Sequence, residues 1–147
     1  MSAGPFYGKY RGVVAQNVDP MLIGRVQVIV PDVAIVPSTW AMPCVPWAGI
    51  NTGMFMVPPM GAGVWVEFER GDPDFPIWTG GFWGMAGETP VMAKAVPPLV
   101  PGITIQTTTG AMISVSDIGI IISNGKGAII NMTGPTVDVN LGALTIV

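Results

Sequence analysis

The first half of the chain alternates apolar and polar residues in short bursts, each closed by a turn. Across Gly24–Val30, Val26, Val28 and Val30 share one face while Arg25, Gln27 and Ile29 share the other, and Pro31-Asp32 ends the run. Gly63–Glu69 repeats the pattern, with Val64, Val66 and Phe68 opposite Trp65, Glu67 and Glu69. Gly71-Asp72-Pro73 then makes a turn, and Pro76–Phe82 returns as the partner strand. Tyr10–Val18, stopped by Asp19-Pro20, is a further candidate strand. Trp40–Trp47 reads as an edge or bent strand, because Pro43 and Pro46 interrupt it. No window of helical length shows i, i+3, i+4 periodicity free of Gly and Pro. The fold class is all-β, and about five strands in about 80 residues suit a small closed barrel.

The pattern changes after a stretch containing Pro90, Pro97, Pro98 and Pro101, a density that favours an extended, semi-rigid connector. Residues 1–88 therefore read as one domain, 89–102 as a linker and 103–147 as a repeat region. Stepping by eight from Ile105 meets Ile113, Ile121, Ile129 and Val137, all β-branched and aliphatic. Stepping by eight from Gly102 meets Gly110, Gly134 and Gly142, with Gly119 and Gly127 one place late. An octad with an aliphatic position and a glycine turn signals stacked short strands.

Such strands fold either as a meander within one chain or as a β-prism wound from three. A meander with one solvated face should alternate cleanly. The phase after the aliphatic column instead reads Gln106, Ser114, Ile122, Ile130, Asp138 and Ile146, a mixture. The octads thus favour an intertwined trimeric β-helix with Ile105, Ile113, Ile121, Ile129 and Val137 in its core. Exposed positions for Ile122 and Ile130 have no explanation in that arrangement.

Composition sharpens this picture. Charged residues are 10 % of the 147, against roughly a quarter in a typical soluble domain, which points to surface buried in an assembly. Six Lys/Arg against nine Asp/Glu give no basic field for nucleic acid. The chain has no histidine, hence neither the commonest general base nor the commonest metal ligand, and no cofactor or metal is expected. Cys44 is its single cysteine and reads as a small buried apolar residue. Val33–Val66 carries no charge over 34 residues, but five prolines and four glycines break it, so no spanning helix is expected there. Met1–Pro5 lacks the basic and apolar regions of a signal peptide, so assembly in the cytoplasm is expected.

Several motifs together resemble one family. Tyr10-Arg11-Gly12-Val13-Val14, Asn17-Val18-Asp19-Pro20 and Gly24-Arg25-Val26-Gln27-Val28 look like the opening of the baseplate spike proteins. Pro58-Pro59-Met60-Gly61 running into Val64–Glu69, and Gly71-Asp72-Pro73-Asp74-Phe75-Pro76 followed by Gly80, continue the match in order from Lys9 to Trp83. That family comprises the central spikes of contractile phage tails, phage baseplate assembly protein V, the VgrG proteins of type VI secretion and the spikes of related extracellular injection particles. The resemblance implies an N-terminal OB-fold barrel, a trimeric β-helical needle and mounting beneath a hub at the end of the tail tube. Two departures stand out. Some members carry a lysozyme domain between barrel and needle, where this chain has only its short linker. Some carry a His-X-His iron site at the tip, which a chain without histidine cannot form. The sequence runs to Thr145-Ile146-Val147 still in strand-like residues, so a blunt end with a separate PAAR-type tip protein is expected.

The leading expectation is therefore a structural homotrimer. It would be the central spike of a contractile injection machine, a component of a virion tail or injection particle that breaches the target cell envelope. A peptidoglycan-degrading tail enzyme is the first alternative, since Glu67, Glu69, Asp72 and Asp74 form the one carboxylate cluster. Against it, alternation with Val66 and Phe68 puts Glu67 and Glu69 on the solvent face. A glycan-binding OB module is the second, with Trp40, Trp47, Trp65, Trp78 and Trp83 available to stack on a ligand. Arg25 reads either as a barrel-surface charge or as a contact to a hub or neighbour. Gly71, Asp72 and Pro73 carry the turn motif whichever function holds.

Overall fold

A computed structural model describes residues 4–95 and 102–146. The chain divides into two compact units between Gly84 and Met85.

In the first unit, β1 (Tyr10–Gln16), β2 (Gln27–Ile29), β3 (Met42–Pro43), β6 (Gly63–Phe68) and β7 (Pro76–Phe82) form one sheet in the order β2-β1-β6-β7-β3. All neighbours are antiparallel except β3 and β7. Ala41, just before β3, bridges Val26, just before β2, through Ala41 N–H to the Val26 carbonyl at 2.7 Å and the reverse bond at 3.2 Å. The two margins of the sheet meet there, so it curls into the OB-like barrel. A two-stranded ribbon, β4 (Ala48–Gly49) and β5 (Thr52–Gly53), stands beside it; proline and glycine around these residues hid it in the sequence.

Alternation fills the interior as expected: Val26, Val28, Val30, Val64, Val66 and Phe68 are all buried, with Val14, Ala41 and Trp78. Trp78 sits among them because its indole N–H has a partner, the Gly24 carbonyl at 3.1 Å. Gly12 leaves room for the Val66 side chain, whose Cγ2 lies 2.8 Å from where a Cβ would be. Cys44, expected inside, is exposed. It follows β3 at the sheet margin, where its N–H donates to the Trp78 carbonyl.

The second unit begins with a departure from the extended connector. Residues Ala86–Glu88 make a 3-10 turn and Val91–Ala95 a short helix, α1. Pro90 precedes the helix, where proline is tolerated, and Met92, Ala93 and Lys94 are good helix formers. Lys94 Nζ donates to the Ala86 carbonyl at 2.6 Å and ties the two turns together. The rest of the expected linker up to Pro101 lies outside the described residues.

Six strands follow: β8 (Gly102–Gln106), β9 (Met112–Ser116), β10 (Gly119–Ser123), β11 (Ile129–Thr133), β12 (Thr136–Val139) and β13 (Leu144–Ile146). Each pairs antiparallel with its neighbours in sequence. Within one chain the octads thus form a meander. The expected winding of three chains concerns how such sheets associate.

Candidate functional site

The register of the meander sorts its side chains onto two faces. One cross-strand row joins Ile105, Ile113, Ile122, Ile130, Val139 and Leu144, each directly opposite the next. A second row, two residues away on every strand and so on the same face, joins Ile103, Val115, Ile120, Met132, Val137 and Ile146. All twelve are apolar. The opposite face carries Thr104, Ser114, Ile121, Asn131 and Asp138 in its central row. One face of the meander is thus wholly apolar, while the other mixes polar side chains with Met112, Ile121 and Ile129.

A step of eight does not follow one face through every turn. Five-residue connections, such as 107–111, place residues eight apart directly opposite one another, as with Ile105 and Ile113. The connections Asp117-Ile118 and Gly134-Pro135 are two residues long, and across them a step of eight changes face. Of the expected core column, Ile105, Ile113 and Val137 share the apolar face, while Ile121 and Ile129 lie on the other. Ile122 and Ile130, which had no explanation, occupy the apolar row.

Among the described residues of this unit, the face is left largely open. Eight of its twelve side chains are 38–63 % exposed, and a contiguous apolar surface of this kind marks an interaction site. The turns that bound it are held by side chains. Asn124 Oδ1 accepts the N–H groups of Lys126 and Ala128, and Asp138 Oδ1 accepts that of Gly142 at 2.7 Å. Gly119 lies where a Cβ would stand 2.2 Å from the Met132 carbonyl oxygen, so the strand pair requires glycine there.

In the barrel, the turn motif has local work. Gly71 is buried at φ +80°, its carbonyl accepts the Phe6 N–H at 2.8 Å, and a Cβ would meet Pro5 at 2.8 Å. Asp72 Oδ1 accepts the Asp74 N–H at 3.0 Å, and Pro73 lies between them in the turn. Of the four carboxylates considered for catalysis, Glu67 pairs with Lys9, and Asp72 is occupied within its own turn.

Arg25 is neither free nor a simple surface charge. Its guanidinium donates to buried Asp19 at 2.7 and 3.0 Å and lies over the Trp40 ring at 5.5 Å. The guanidinium holds the Asp19 carboxyl well below the usual carboxylate range, and the N–H groups of Met21, Ile23 and Arg25 add to that against the effect of burial. Sequence reading missed this clamp; an aspartate six residues before an arginine across a loop carries no periodic signal. The tryptophans divide: Trp78 is core, Trp65 packs on Phe82 at 4.9 Å, and Trp47 and Trp83 are exposed. No group of three or more metal-ligating side chains gathers among the described residues, and no helix among them is long and apolar enough to cross a membrane.

Comparison with known families assigns both units. Residues 10–83 match the family model described as the type VI secretion system/phage-baseplate injector OB domain. Residues 86–145 match the model described as the phage baseplate V C-terminal trimerisation domain. A comparison with curated proteins gives no match.

Proposed function

The chain belongs to the phage-baseplate and type VI injector OB-domain family, and from that premise we propose that three copies form the central spike of a contractile injection machine. Its role in the baseplate is structural. The largely open twelve-residue apolar face carries the proposal. Three such faces turned inward would bury one another about a common axis, with the opposite face, whose Ser114 is already covered within the single chain, turned away from it. Ile105, Ile113 and Val137 are then core residues as the octads suggested, joined by Ile122 and Ile130, while Ile121 and Ile129 belong to the outer side.

The same construction suits force transmission. Strands of three to five residues joined by connections of two to five leave little loop to yield, and burial of the apolar rows makes unfolding of one chain costly to all three. The proposed work is mechanical: the hub pushes from the barrel end, a separate PAAR-type tip caps the needle, and the assembly breaches the envelope of the target cell. Assembly in the cytoplasm precedes incorporation into the tail or particle. No catalytic step is assigned to the chain.

Light scattering across a dilution series tests the core of this proposal. A stable species near three times 15.3 kDa is expected. A monomer at every concentration would overturn it.

A further inference from the structure

The N-terminal domain has a second uncovered apolar surface, on residues separate from the C-terminal sheet. A cleft of about 610 Å³ is lined by the Leu22–Gly24 loop, by β3, and by the β4–β5 ribbon with the Met54–Met56 segment after it. No charged residue lines it. Around it Leu22, Trp47, Ile50 and Phe55 are 81, 53, 94 and 71 % exposed. Met54 and Met56, 37 and 45 % exposed, extend the same apolar surface.

The surface is held in place from below. Leu22 adopts φ +56°, a left-handed conformation unusual for a bulky side chain, and still projects into solvent. The buried carboxylate of Asp19 fixes that loop by accepting the N–H groups of Met21, Ile23 and Arg25. Phe55 rests against the same loop, with Cε2 3.4 Å from where a Cβ of Gly24 would stand. A buried charge thus holds an apolar residue outward in a strained conformation. Strain of this kind persists only where the surrounding structure over-determines it, and such positions cluster at functional sites.

We propose that this surface is the contact between neighbouring copies of the N-terminal domain within the trimer; the proposal rests on the trimer reading above. Each N-terminal domain is joined in one chain to a trimerisation domain, so in a trimer three copies hold one another at effective concentrations on the order of millimolar. The stretch from Val33 to Val66 contributes no charge, which suits a permanent interface between copies and offers nothing for ionic recognition of another partner.

Hydrogen exchange on the full-length protein, with mass measured on the same sample, tests this. In a trimer, the amides of residues 47–56 should exchange at least tenfold more slowly than in Phe55→Asp, whose C-terminal sheet keeps the trimer together. A second variant, Ile50→Cys in a Cys44→Ser background, should react with a small thiol reagent at least tenfold more slowly in the native trimer than in urea. A trimer of full mass in which residues 47–56 exchange freely, or Cys at position 50 reacts at the unfolded rate, would overturn the proposal and leave the surface for a different protein. A monomer would instead overturn the trimer reading itself.

Discussion

Ile113 of β9 stands directly opposite Ile122 of β10, while Ile121 stands opposite Ser114 on the other face. Two adjacent isoleucines therefore make opposite predictions. Ile122→Asp puts a carboxylate into the apolar row, where an unpaired buried charge costs several kcal/mol per chain, and it should abolish the trimer. Ile121→Asp adds a carboxylate beside Ser114 and Asn131 and should leave the mass unchanged. Light scattering at matched concentration reads both. Equal loss from the two variants would reject the assignment of faces.

The reason the sequence hid this lies in parity. In the barrel, one strand's alternation is enough: Val26, Val28, Val30, Val64 and Val66 announce the core without any knowledge of partners, and all are buried. In the meander, each strand's side chains also alternate between faces, but comparing strands requires the length of every turn. Two-residue and five-residue turns differ by an odd number, so a fixed period cannot follow one face through both. The β4–β5 ribbon and the Asp19–Arg25 clamp were illegible for a different cause, since both depend on tertiary contacts around residues that read as loop.

Gly71→Ala should destabilise the barrel by about 1–3 kcal/mol or more, because the residue is needed twice over. Its φ of +80° disfavours a side chain, and the added Cβ would press on Pro5 and on the Phe6 backbone. Gly61 is also at positive φ, but a Cβ there meets nothing within 4 Å, so Gly61→Ala isolates the conformational part. Urea titration should therefore place Gly71→Ala well below Gly61→Ala. Equal midpoints would show that the N-terminal segment does not pack as described.

Trp78→Phe keeps a large apolar side chain but leaves the Gly24 carbonyl without its indole donor. A buried acceptor so abandoned costs about 1–3 kcal/mol. The effect should appear in the urea midpoint followed by far-ultraviolet circular dichroism. It should be accompanied by faster exchange of the Leu22–Arg25 amides, since the bond anchors that loop to the core. A lost bond without loop loosening would mean that Asp19 alone holds the loop.

Asp19→Asn tests that anchor through pH. The folded-state pKa of Asp19 is depressed by the Arg25 guanidinium and by the surrounding N–H donors. The carboxylate therefore stabilises the fold above the ordinary, unfolded carboxylate value near 3.9, and that contribution is lost as pH falls through the lower folded value. The asparagine variant cannot titrate there. All five tryptophans lie between Trp40 and Trp83, so fluorescence melting follows the N-terminal domain alone. The wild-type protein should melt above Asp19→Asn by a constant margin at pH 5 and higher. Below about pH 4 that margin should shrink steadily, as the unfolded chain takes up a proton the folded chain still refuses. A margin that widened on acidification would reverse the sign and remove the charge from the account of why Leu22 stands where it does.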